Sequence, residues 1–166
     1  MTQILTPREA EALDNHAEQQ ARAQLRGIRE LLAVLDMDWD RLEELRDTFA
    51  DCPDNFGEAE AEELAELEEK AGEYASREDA EEAIYNDPLS IDYRSGWSSD
   101  PNHLTPEDFQ ILLCTGGPAV RIMGELDFDG TPHRAWLEYQ DWGTPWTMLF
   151  DGQEDALEYA RRLIVL

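Results

Sequence analysis

Ala119-Val120-Arg121-Ile122-Met123-Gly124-Glu125-Leu126-Asp127-Phe128-Asp129-Gly130 is the stretch whose reading decides the fold. Val120, Ile122 and Gly124 alternate with Arg121, Met123 and Glu125, the period of a strand covered on one face. Asp127 to Gly130 supplies a hairpin turn with the favoured Asp-Gly pair, so the next strand returns antiparallel. That strand is predicted over Arg134–Tyr139, and a fifth over Thr147–Phe150. Upstream, Phe109–Cys114 reads as a strand closed by a tight turn at Thr115-Gly116-Gly117-Pro118. Before it, Leu89, Ile91 and Tyr93 alternate with Ser90, Asp92 and Arg94 as far as Ser95-Gly96. Ser98 to Thr105 is a polar loop, and Thr105-Pro106-Glu107-Asp108 offers at most one helical turn.

Helices flank these strands. Thr6-Pro7-Arg8-Glu9 is a capping box with proline at the first helical position. Leu13, Ala17, Ala21, Leu25, Ile28, Leu32 and Leu35 then recur at spacings of three and four, predicting a helix from about Pro7 to about Val34. Its small residues suit packing against another helix, within the chain or in a homodimer. Asp38 caps a shorter helix with Trp39, Leu42, Leu45 and Phe49 inside and Asp40, Glu43, Glu44 and Asp47 outside. After the loop Asp51–Gly57, an acidic helix runs to about Tyr74 with Ala61, Leu64, Leu67, Ala71 and Tyr74 on its apolar face. Ser76 caps a short helix that buries Ala80, Ala83 and Ile84. The chain closes in a helix, Gln153–Val165, with Ala156, Leu157, Ala160, Leu163 and Ile164 inward. The expected class is α+β: an N-terminal helical hairpin or small bundle (1–75), then an antiparallel sheet module with flanking helices (76–166).

Charge is the outlier. Across 166 residues, 13 bases against 39 acids leave −26. Residues 36–87 alone carry 21 acids and four bases, or −17. Such a surface repels nucleic acid and anionic membranes and attracts basic protein surfaces. Plain solubility, a salt-loving cell or a solvated helix face would explain the same excess. Cys52 and Cys114 are too few for a disulfide framework. The N-terminus lacks a basic n-region, and no apolar run approaches the ~20 residues of a membrane span. The expectation is a soluble protein in the cytoplasm of a bacterial host cell.

Within the acidic helix, Glu58, Glu62, Glu66, Glu69 and Glu73 line up opposite the apolar face with nothing basic among them. At ~1.5 Å rise per residue the row is ~22 Å long, one charge per ~5.6 Å. One strand of B-DNA carries a phosphate per ~3.4 Å, so the row is sparser but of similar order. Glu63 lies on its flank, and Asp40, Glu43, Glu44, Asp47 and Glu78–Glu82 support it.

Catalytic chemistry finds little support. His16, His103 and His133 have no partner at metal-ligand spacing, and no nucleophile elbow or phosphate loop occurs. Asp36, Asp38 and Asp40 begin like a calcium loop, but Arg41 stands where glycine is required and Asp47 where a bidentate Glu is required. No cofactor and no metal are expected. Gln140-Asp141-Trp142-Gly143-Thr144-Pro145-Trp146 puts two tryptophans in one short loop. Both rings, with Trp97, can cover the end of the sheet; alternatively Asp141, Trp142 and Trp146 are contact anchors for a partner.

Asp87-Pro88-Leu89-Ser90, Arg94-Ser95-Gly96-Trp97, Ile111 to Ile122 and Gln140 to Trp146 together resemble a group of small uncharacterised proteins of bacteriophages and plasmids, over roughly residues 76–150. The resemblance implies a mobile-element origin and favours a host-defence inhibitor of the anti-CRISPR or anti-restriction kind. The leading expectation is a non-enzymatic DNA mimic that occupies the basic surface of a nucleic-acid-binding protein or ribonucleoprotein complex. The alternative is an adaptor that dimerises through its first helix and binds a partner through the Trp loop.

Overall fold

The computed structural model describes residues 7–100, 102 and 104–165, without the side chains of 7–15 and 55. Contacts cluster into two units, one joining the segment up to Arg29 with Tyr85–Leu166, the other spanning Glu30–Ile84. The sequence boundary at 75/76 is a different partition.

The first unit is built on five strands, β1 (Ser90–Ser95), β2 (Pro106–Cys114), β3 (Ala119–Leu126), β4 (Pro132–Gln140) and β5 (Thr147–Leu149). They lie in chain order, each antiparallel to the next. Alternation fixes the register, because a one-residue slip would turn every apolar side chain outward. One row runs Ile91, Ile111, Ile122, Leu137 and Leu149, and its last four members are buried. Next to it Phe109 faces Gly124, where a Cβ would come within 2.2 Å of the Phe109 ring. Asp127 accepts a hydrogen bond from Gly130 N at 2.9 Å through its carbonyl, closing the expected β3–β4 turn with Gly130 at φ +83°. The helical turn expected at Thr105–Asp108 is instead the start of β2. Pro106 pairs with Ser95, at a strand's first residue, where a missing N–H is tolerated.

A C-terminal helix, Gln153–Leu163, packs on β4. It ends two residues before the expected Val165, and its buried face is centred on Ala156, Tyr159 and Ala160 rather than on Leu157 and Leu163, which are half-buried. The Tyr159 hydroxyl donates to Asp87 Oδ2. Burial, then the Asp87 carboxylate, push its ionisation well above the ordinary range. The first helix, α1 (Pro7–Leu35), matches its expected span; the Thr6 cap and the Leu13 side chain lie outside the described residues. Its Leu25 fills the space where a Cβ on Gly152 would sit, within 2.4 Å. Arg29 Nε donates to Asp155 Oδ2 at 2.8 Å.

The second unit contains the end of α1, then α2 (Trp39–Asp51), a short 3-10 turn (Pro53–Asn55), α3 (Glu58–Ala71) and most of α4 (Arg77–Asn86). Asp38 caps α2 as expected, accepting from Arg41 N at 3.0 Å, and Ser76 Oγ accepts from Asp79 N at 3.2 Å. Trp39, Leu42 and Leu45 are buried, and Trp39 Nε1 donates to Val34 O at 3.0 Å. Phe49 is not inside: it is 51% exposed, edge-to-face with Phe56. On α3 only Leu67 and Ala71 are buried, Leu64 is half-buried and Ala61 is exposed. The helix stops at Ala71 because Gly72 adopts φ +61°, so Glu73 and Tyr74 lie beyond it. No helix among the described residues is long and apolar enough to cross a membrane.

Candidate functional site

The packing of α3 against α2 sorts its acids into two groups. At 100° per residue Glu63 and Glu68 flank the buried Leu67–Ala71 side, and arginines of α2 claim both. Arg41 donates to Glu63 through Nε at 3.0 Å and Nη2 at 2.7 Å, and Arg46 Nε donates to Glu68 at 3.5 Å. The hydrogen bonds from Arg41 hold the Glu63 carboxyl below the usual range, and those to Glu63 and then Glu44 raise the guanidinium's own. Glu60 is used locally, accepting from Gly57 N at 2.9 Å.

Glu58, Glu62, Glu66 and Glu69 point the other way. All four are exposed, and none has an ionic or hydrogen-bonding partner among the described residues. Glu73, expected as the fifth member, is exposed but off the helix axis. The row therefore spans ~16 Å rather than ~22 Å. On α2, Asp40, Glu43, Glu44 and Asp47 are all exposed, and among the described residues Glu44 alone of them is paired, with Arg41 at 2.9 Å. Of the four bases in this unit, three are consumed: Arg41, Arg46 and Arg77 all pair with glutamates, leaving Lys70.

The Trp loop divides differently. Asp141 is buried at 7% exposure, so it is not a surface contact. Its Oδ1 accepts from Trp142 N at 2.7 Å, and its backbone N–H donates to Thr144 Oγ1 at 3.0 Å, which organises the turn. Oδ2 is buried without a partner among the described residues. Trp142 is 78% exposed, with its indole against the backbone of Gly117. Trp146 is half-buried under the Arg121 guanidinium, 3.9 Å from the ring centroid. Trp97 is fully exposed. Of the three rings expected to cap the sheet, only Trp146 packs in that way.

Sequence reasoning missed what holds Trp146. Arg121 donates twice to Glu138 Oε2, at 2.7 and 2.9 Å, and once to Gln110 at 2.8 Å, and Trp136 Nε1 donates to Glu138 Oε1 at 2.9 Å. The available signal was the outward phase of Arg121 and Glu138; their pairing needs the register. His133 lies between Glu125 and Asp127, His16 is exposed, and His103 lies outside the described residues. No group of three or more His, Cys, Asp or Glu able to hold a metal occurs among the described residues.

The fold and this surface define an α+β protein whose acidic excess is densest over residues 36–87. No family model, curated protein or solved structure matches the chain.

Proposed function

We propose that this protein is a non-enzymatic, DNA-mimic-type inhibitor of a host nucleic-acid-binding defence complex, of the anti-CRISPR or anti-restriction kind, acting in the bacterial cytoplasm. The observation that carries the reading is the division of acids on α3. Flanking glutamates are spent on arginines of α2, while Glu58, Glu62, Glu66 and Glu69 stand outward and unpaired among the described residues. Like charges at i,i+4 destabilise a helix, so a row of them supports a role outside the chain. Asp40, Glu43 and Asp47 add a second set on α2. The partner's Arg and Lys, used otherwise on phosphates, would meet these carboxylates, and binding should weaken steeply with salt. The test is capture from host lysate at low salt, elution with salt, and competition by DNA. A basic nucleic-acid-binding complex that DNA displaces is expected; recovery only of salt-resistant partners would overturn the reading.

The adaptor reading keeps one supporting observation, the exposed Trp142 ring. Against its dimer seam stands the burial of the α1 apolar face from Ala17 onward: Ala17 and Ala21 at 0%, Leu25 and Ile28 at 2%, Leu32 at 8% and Leu35 at 4%. Trp142→Ala should abolish partner binding if the loop is the contact and leave it intact if the glutamate row is.

A further inference from the structure

Between the C-terminal ends of α1 and α3, inside the second unit, lies a groove of about 690 Å³. Val34, Met37 and Leu67 give it an apolar floor, and Glu30, Asp36 and Glu69 rim it, with Lys70 its one base. Two helices terminate here, α1 at Leu35 and α3 at Ala71. A helix C-terminus carries roughly half a negative charge, so both ends add to the carboxylates, and α1 has no base in its last turn to offset its own. Phosphate mimicry has no use for an apolar floor. A ligand that is apolar on one side and cationic on the other does.

We propose that this groove docks a short basic amphipathic helix of the partner protein. One or two large apolar side chains would sit on Val34, Met37 and Leu67, with lysine or arginine side chains toward Glu30, Asp36, Glu69 and the two helix ends. Such helix-in-groove contacts are read through apolar anchors at i, i+3 or i+4 and i+7. The inference rests on the reading that the acidic unit faces a basic partner, and it names the part of that partner which gives it a fixed seat. Charge attraction alone is screened by salt; an apolar anchor is not.

The experiment uses the full chain and two labelled synthetic peptides of about four helical turns. Both have the same lysine and leucine composition. In one the leucines share a helical face; in the other they are scattered over all faces. Fluorescence anisotropy should show the amphipathic peptide binding at least about tenfold tighter, a difference retained at about 1 M salt, where the Debye length is ~3 Å. Ala33→Trp, at an exposed position on the groove, should remove the preference, as should the smaller change Met37→Ala in part. Circular dichroism checks that both variants stay folded. Equal affinity of the two peptides, or a preference untouched by both folded variants, would overturn the proposal. The triple change Glu58→Gln, Glu62→Gln and Glu66→Gln separates the two ideas. Loss of target binding in that variant with equal peptide affinities leaves the glutamate row standing without the groove. A peptide preference with unchanged target binding leaves the groove without the row.

Discussion

The two units of this chain handle the same surplus of acid in opposite ways. The unit around the sheet holds 18 acids and nine bases, or −9, in 111 residues; Glu30–Ile84 holds 21 acids and four bases, or −17, in 55. In the sheet unit, Arg94, Arg121 and Arg134 pair with Asp108, Glu138 and Glu125 on neighbouring strands, so charge is answered across the ladder. In the helical unit Arg41 and Arg46 tie α2 to α3, and Glu58, Glu62, Glu66 and Glu69 have no counter-charge among the described residues. Sheet charges serve the fold. The outward glutamates of α3 have no partner among the described residues, which leaves them available to another molecule.

The comparison can be broken or sharpened by mutation. The largest effect belongs to the sheet core: Ile122→Ala removes a fully buried side chain and should cost about 2–5 kcal/mol in denaturant unfolding. Arg121→Ala should cost about 1–3 kcal/mol, because it leaves Glu138, at 17% side-chain exposure, without its main donor. The corresponding change in the helical unit, Arg41→Ala, breaks a more exposed pair and should shift Tm far less. If the two arginine variants unfold alike, the contrast between the units fails.

Two smaller effects have defined signs. Replacing Glu62 with Gln removes two like-charge i,i+4 pairs, with Glu58 and Glu66, and should stabilise α3 by about 0.4–1 kcal/mol at low salt, with the gain fading as salt rises. Thermal melts at low and high salt check it. The smallest concerns pH. The carboxyl of Glu63 is depressed in the folded chain, so its contribution is present above the usual carboxylate range and is lost as pH falls through the lowered value. Glu63→Gln should lack that limb of the acid-unfolding curve. Tyr159 has the opposite sign: its ionisation is raised, so its contribution is full below about pH 10 and is lost above it. An alkaline titration at the phenolate absorbance should find one tyrosine that ionises only on unfolding.

The elements were legible where their signals are local. Strand alternation, the turn at Asp127–Gly130 and the caps at Asp38 and Ser76 each depend on a few adjacent residues, and all stand in the structure. Thr105-Pro106-Glu107-Asp108 misled because it has the composition of a helix start; pairing with β1 and β3 overrides that preference. Glu73 and Tyr74 misled because their spacing continues the α3 faces, whereas Gly72 just before them ends the helix. The candidate site was half legible. Outward glutamates follow from periodicity, but which acids are spent depends on Arg41–Glu63 and Arg121–Glu138, contacts 22 and 17 residues apart. Asp141 looked like a surface acid because loop composition does not reveal that its carboxylate folds back on Trp142 N.

The most direct test of the central claim is the affinity for the captured target, measured against salt, for the natural chain and for the triple Glu58, Glu62 and Glu66 to Gln variant. Binding at least about tenfold weaker, with a visibly flatter dependence on salt, is the result expected if these carboxylates stand in for phosphates. An affinity and a salt slope both unchanged, in a variant that remains folded, would contradict it.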